Sequence, residues 1–233
     1  MERRITFAPG EYYHVYNRGV NKMKTYFTAH DYWRFMFLLY LCNDENPVRF
    51  DNLIKNEQGR TLLRMQEKVF TYKRGKTLVD IGAFCLMPNH FHILLHEHTE
   101  GGISKFMQKT TTAYSMYLNK SQNRTGPLFS GRFKAEHVAS DRYLKYLYAY
   151  IHLNPIKILD PHWKENGIRD RKHAREFLHS YAYSSYQAYT EKESPVATII
   201  EPAPFPHYFE NGMQFEESVT EWIKQREEWS VNG

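Results

Sequence analysis

The chain reads as an α+β fold in which helices pack on one face of an antiparallel sheet. Three observations predict it. The elements run strand, helix, strands, helix, strand, helix. Val79 to Met87 and His90 to His98 are β-rich runs separated only by Pro88-Asn89, and the second alternates in the manner of a half-buried strand. Ile103, Phe106, Met107, Thr110, Tyr114, Tyr117 and Leu118 then fall on one helical stripe. That order suits a sandwich of the ferredoxin-like kind.

The elements follow in turn. Tyr12 to Gly19 is aromatic and β-branched and ends at a glycine, which predicts a strand. Asp31 is placed to cap a helix running through Trp33 and Phe37 to about Leu41, apolar all round and therefore core. Val48 to Leu53 and Val69 to Tyr72 read as short strand-like pieces around a polar stretch, Asn56 to Arg60. Gly101-Gly102 opens the striped helix, Gly126-Pro127 turns the chain, and Leu128 to Val138 reads as a strand. Ser140 or Asp141 caps a last helix, Arg142 to about His152, which Pro155 terminates. The expected organisation is one domain over residues 1–190, followed by a Pro-rich linker and an acidic helix over 191–233. Phe215, Val219, Trp222 and Ile223 line one side of that helix.

Composition narrows the class. Of 233 residues, 42% are hydrophobic and 24% charged, which supports a real core and excludes wholesale disorder. No stretch approaches the roughly 18 apolar residues of a membrane helix. No apolar run follows Met1-Glu2-Arg3-Arg4, so a cytoplasmic protein without a secretory signal is expected. Cys42 and Cys85 sit in apolar runs and read as buried reduced thiols. The net charge of +5 is uneven: nine acids against three bases give −6 over residues 191–233, leaving +11 for the rest. A basic body with an acidic tail points to a polyanionic partner, nucleic acid first.

Two features carry chemistry. In Pro88-Asn89-His90-Phe91-His92-Ile93, residues i and i+2 share a strand face, so His90 and His92 project together while Phe91 and Ile93 face the core. Two such imidazoles can ligate one divalent ion. On spacing alone, two solvent-facing histidines explain the pattern better. On the last helix, Tyr143, Tyr146 and Tyr150 share a face and Tyr148 points elsewhere. Asn154 lies four residues past Tyr150, although a residue before proline is pushed away from helical geometry.

Together, in this order, these features resemble the HUH single-tyrosine transposases, and within them the REP-associated tyrosine transposase branch of the insertion-sequence group. The resemblance rests on Tyr13-His14-Val15-Tyr16-Asn17-Arg18-Gly19 and on Cys85-Leu86-Met87-Pro88-Asn89-His90-Phe91-His92. It continues through Gly126-Pro127-Leu128-Phe129-Ser130-Gly131-Arg132-Phe133 and Tyr150-Ile151-His152-Leu153-Asn154-Pro155, with a weaker echo at Tyr183-Ser184-Ser185-Tyr186. It spans roughly residues 10–190.

The resemblance implies an HUH domain that cuts and rejoins single-stranded DNA at hairpin or repeat elements. It makes Tyr150 the nucleophile, and His90, His92 and Asn154 the ligands of Mg²⁺ or Mn²⁺. Many relatives carry glutamine where Asn154 stands, one methylene longer. Two rivals stay open: a non-catalytic nucleic-acid-binding protein on the same scaffold, and a metal-dependent nuclease that uses water, whose cleavage would survive Tyr150→Phe. Monomer and dimer are both compatible with the sequence.

DNA contact calls for cations near the site. Eight basic side chains oppose two acidic ones between Ile103 and Lys145, interleaved with aromatics, which is the composition of a single-strand groove. The expected contacts are Lys105, Lys109, Arg132 and Lys134, with Arg18 after the first strand; Arg132 and Lys134 are expected to share one strand face. His96 and His98 fall at the far end of their strand, and Glu97 is given no role. The acidic C-terminal helix could fold over the basic groove.

Overall fold

The computed structural model describes residues 5–48, 50–53, 61–191 and 193–224. Its centre is a sheet of β1 (Tyr12–Arg18), β2 (Val79–Met87), β3 (His90–Glu97) and β4 (Lys134–His137). The strand order is β2-β3-β1-β4 and every neighbouring pair is antiparallel. β2 and β3 form a hairpin over the two-residue turn Pro88-Asn89, with Met87 opposite His90. β1 lies between β3 and β4, so the connection through α4 (Gly102–Ser121) crosses over a strand, as in a split βαβ unit.

The alternation of β1 and β3 sends Tyr13, Val15, Phe91, Ile93 and Leu95 to the principal core. There they meet α1 (Ala29–Leu41) and α4, through Phe35 and Leu39 and through Ile103, Phe106 and Tyr114. In β2 the ladder slips between Ile81 and Ala83. This bulge resets the alternation, so Val79, Ile81, Phe84 and Leu86 all reach that core while Ala83, Cys85 and Met87 face the other way.

The opposite face is covered too, by α5 (Asp141–Leu153). Leu144, Leu147, Tyr148 and Ile151 pack on Ala83, Cys85, Met87 and Leu94. Helices therefore flank both faces rather than one. The reason is plain in the bulged strand, which carries apolar side chains on both sides and needs cover on both.

Several boundaries differ from expectation. Thr28, not Asp31, caps α1; Asp31 stands three residues in and closes the capping box by accepting the Thr28 amide at 2.8 Å. Val48 to Leu53 yields a short helix, α2 (Phe50–Leu53), and Val69 to Tyr72 takes in the end of α3 (Leu62–Phe70), capped by Thr61. Most of the polar stretch between them lies outside the described residues. Of the run Leu128 to Val138 only β4 pairs as strand. The preceding loop turns at Gly131, whose φ of +78° favours glycine. Ser140 caps α5 by accepting the Tyr143 amide at 3.2 Å.

Asn154 keeps right-handed helical geometry despite the following proline, and Pro155 leads into α6 (Ile156–Leu159). Beyond it lie α7 (Trp163–Asn166), α8 (Arg171–Ser180) and α9 (Tyr186–Thr190). The described part of the chain after residue 190 packs on the body. Val196 and Ile199 enter the principal core, and Phe205 joins the α5 layer. In α10 (Gly212–Lys224), Phe215 and Val219 are buried against Leu153, Ile156 and Tyr186. The side chains of Trp222 and Ile223, and the glutamates at 227 and 228, lie outside the described residues. Both cysteines are free and buried.

Candidate active site

A cavity of about 640 Å³ opens on the sheet face that α5 only partly covers. The ladder register builds its floor. Arg18 pairs with His90 and Tyr16 with His92, while His14 and Tyr16 of β1 pair with Glu136 and Lys134 of β4. All of these side chains line the cavity. Tyr146 and Tyr150 reach it from α5, and Lys157 from α6.

His90 is neutral near physiological pH. Burial, with the charges of Arg18 and Lys157 beside it, pushes its pKa down to about 4. Its Nδ1 lies 2.7 Å from the side-chain oxygen of Asn89, whose own amide nitrogen donates to the Lys22 carbonyl at 3.1 Å. An amide oxygen only accepts, so Nδ1 carries the proton and Nε2 keeps its lone pair. His92 is buried, and its Nδ1 stands 2.8 Å from Nε2 of His14, the two rings stacked at 5.0 Å.

The ring of Tyr150 meets His92 edge to face at 5.4 Å and His14 at 5.8 Å. Burial raises its pKa; the Asn154 side chain and the Arg18 charge pull in the opposite direction. Tyr146 lies 5.8 Å from Tyr150 and 6.1 Å from Tyr143, so the helical face read from spacing exists, and Tyr148 is buried elsewhere. Asn154 is buried and its Nδ2 donates to the Tyr150 carbonyl at 2.8 Å, while its Oδ1 has no hydrogen-bond partner. A buried orphan oxygen is what a cation satisfies. His90 offers its lone pair from the cavity wall, whereas Asn154 is not itself a wall of the cavity. Among the described residues no group of three His, Cys, Asp or Glu side chains is gathered for a metal.

The cations divide. Arg18 and Lys134 line the cavity, with Lys22 and Lys157 added. Arg132 precedes β4 instead of alternating within it, and lines a neighbouring cavity of about 830 Å³ along α4, with Asn17 shared between the two. Lys105 and Lys109 are not brought to either. Lys105 donates to the Glu45 carbonyl at 3.2 Å, and Lys109 donates to the carbonyls of Asp44 and Asn46. None of the described residues of α10 lines the main cavity.

Other residues settle elsewhere. His96 and His98 face Asp80, at 2.8 and 3.4 Å. Glu97 is fully buried and accepts the Ile103 amide at 2.8 Å, anchoring the start of α4. Sequence reasoning missed His14, Tyr16, Glu136 and Lys157. The signal was present for the first two: the i, i+2 rule that singled out His90 and His92 applies equally to His14 and Tyr16 in β1.

Residues 51–154, which contain His90, His92, Tyr150 and Asn154, match the family described as "Transposase IS200 like". Over that segment, a little under half of its length, the chain is similar to the IS200-like transposases. Among solved structures it is similar to a REP-associated tyrosine transposase bound to a REP hairpin. The identity is 12%, the TM-score 0.47, and the match covers 88% of this chain and 91% of that one. No curated protein matches. Among the described residues no helix is long and apolar enough to cross a membrane.

Proposed function

We propose that this protein cuts and rejoins single-stranded DNA at hairpin or repeat elements through a covalent 5′-phosphotyrosine at Tyr150. The observation that carries the reading is the packing of Tyr150 against His92 in a cavity rimmed by Arg18, Lys134 and Lys157. Nucleophile, imidazoles and phosphate-binding cations thus share one wall-to-wall space.

His90, His92 and Asn154 would hold a divalent ion, Mg²⁺ or Mn²⁺. When bound, such an ion supplies Lewis-acid polarisation of the scissile phosphate. The chain's own groups do the rest. The phenol, protonated at neutral pH, loses its proton as its oxygen bonds to phosphorus. The bond from phosphorus to the 3′ oxygen breaks, leaving a free 3′-OH and a phosphodiester on Tyr150. Attack by a 3′-OH on that diester reverses the step without a nucleotide cofactor. The Asn154 side chain and the Arg18 charge favour the phenolate as it forms. Arg18, Lys134 and Lys157 receive the backbone phosphates.

The test is adduct trapping. The full chain is incubated with Mg²⁺ or Mn²⁺ and pooled single-stranded hairpin oligonucleotides, then run on a denaturing gel beside Tyr150→Phe. A metal-dependent protein–DNA band absent from the variant is expected. DNA binding with no adduct would replace this reading with a non-catalytic nucleic-acid-binding protein. Cleavage that persists in Tyr150→Phe without an adduct would replace it with a water-using nuclease.

A further inference from the structure

We infer that His152 and Ser185 are positioning residues for the proposed nucleophile: a buried hydrogen bond between them ties the last turn of α5, which carries Tyr150, to the outer edge of β2. The inference rests on Tyr150 as the nucleophile and adds what fixes the helix behind it.

The tie begins at the sheet. β2 is the end strand of the order β2-β3-β1-β4, so its outer edge is left for another partner. Residues 183–185 take that edge: Leu86 donates its amide to the Tyr183 carbonyl and Ser185 its amide to the Phe84 carbonyl, both at 2.9 Å. The Ser185 hydroxyl oxygen accepts the Phe84 amide at 2.9 Å, which fixes its place beside the strand. The same oxygen lies 2.7 Å from Nε2 of His152. Nδ1 of that ring stands 2.7 Å from the Tyr148 carbonyl one turn back, so the imidazole is held at both nitrogens. Both residues are fully buried. Residues two apart leave a helix about 200° from each other. The phenol of Tyr150 therefore faces the cavity while His152 faces away from it, among Tyr186, Tyr189 and Phe215. Leu144, Leu147 and Ile151 press the helix onto the sheet, but apolar contact has no preferred direction and leaves rotation open. A hydrogen bond on the side opposite the phenol closes it, because such a bond weakens steeply once its atoms leave the line.

The experiment compares DNA affinity with the rate of covalent capture, on the full chain with Mn²⁺ and single-stranded hairpin oligonucleotides. His152→Phe keeps a ring and removes both nitrogens. Ser185→Ala removes the hydroxyl. His152→Gln keeps a group able to hydrogen-bond Ser185. In single turnover, His152→Phe and Ser185→Ala are expected to slow adduct formation about 100-fold with DNA affinity unchanged, as a misplacement of about 1 Å does. His152→Gln is expected to recover most of the rate. A merely structural pair would lower the melting temperature and leave the rate per folded molecule unchanged. That result overturns the inference and leaves Tyr150 as the nucleophile. Wild type that forms no adduct with any of the oligonucleotides overturns both. If neither His152→Phe nor Ser185→Ala folds, the pair is a requirement of the fold and not of aim, and the inference fails.

Discussion

Gly82 and Phe205 are predicted to be energetically coupled, and the coupling measures how firmly the chain beyond residue 190 is built into the unit that carries the site. Phe205 is 4% exposed and its ring lies 5.2 Å from Tyr12 and 6.3 Å from Tyr148. Truncation to alanine therefore costs about 3–5 kcal/mol, the range for a buried phenylalanine. Gly82 sits at the β2 bulge, and a Cβ there would lie 2.7 Å from two carbons of the Phe205 ring and 3.0 Å from a third. Gly82→Ala alone thus overpacks the contact, at about 1–3 kcal/mol. In the Phe205→Ala background the ring is gone and the new methyl enters the space it leaves. The double variant is expected to be about 1–3 kcal/mol more stable than the sum of the single effects predicts. Urea unfolding followed by circular dichroism gives all four stabilities. Additivity within about 0.5 kcal/mol, the figure for independent sites, would refute the reasoning. A cost of Phe205→Ala near zero would show that the segment is not seated on the sheet at all.

Other expectations concern charge and burial. Lys157→Ala should weaken single-stranded DNA binding and lower the salt slope by about one unit, whereas Lys105→Ala and Lys109→Ala should leave both unchanged; fluorescence anisotropy across a salt series separates them. Asn43 accepts the amides of Leu78 and Val79 at 2.9 and 3.0 Å and donates to the Val79 carbonyl at 2.9 Å. Asn43→Ala leaves these buried groups unpaired and should destabilise the fold by about 3 kcal/mol or more in urea titrations. Glu136 has a folded pKa near 2, below the ordinary carboxylate value, so its contribution is present above about pH 4.5 and is lost as pH falls toward 2. Glu136→Gln should flatten the acid limb of the stability profile over that window.

The central elements were legible because their periods are strong. The alternation of β3 and the stripe of α4 need no distant partner to be recognised. What failed depends on partners. The run Leu128 to Val138 has strand composition, yet only four of its residues pair in the ladder with β1. α2 and α3 lie where short apolar pieces fit strand and helix equally well. The second helical layer follows from the Gly82 bulge, which local composition does not announce. In the site, spacing put His90 and His92 on one strand face and Tyr150 beside Tyr146 on a helix, but only the family resemblance joined the two groups, which the structure brings to one cavity. His14 and Glu136 join them through strand register, which no local window encodes. Lys105 and Lys109 look like groove cations in sequence, because nothing nearby reveals that the carbonyls of residues 44–46 accept their hydrogen bonds.

The two histidines and the tyrosine are mounted on different bodies. His90 and His92 belong to a strand locked on both sides by ladders, while Tyr150 belongs to a helix laid across that sheet. The separation between phenol and imidazoles is thus not a covalent dimension but the thickness of a greasy interlayer, Leu144, Leu147 and Ile151 against Cys85, Met87 and Leu94. One methylene more or less in that layer re-aims the phenol while leaving every reactive group unaltered. Variation that tunes this site can accumulate in residues that no inspection of its chemistry would single out.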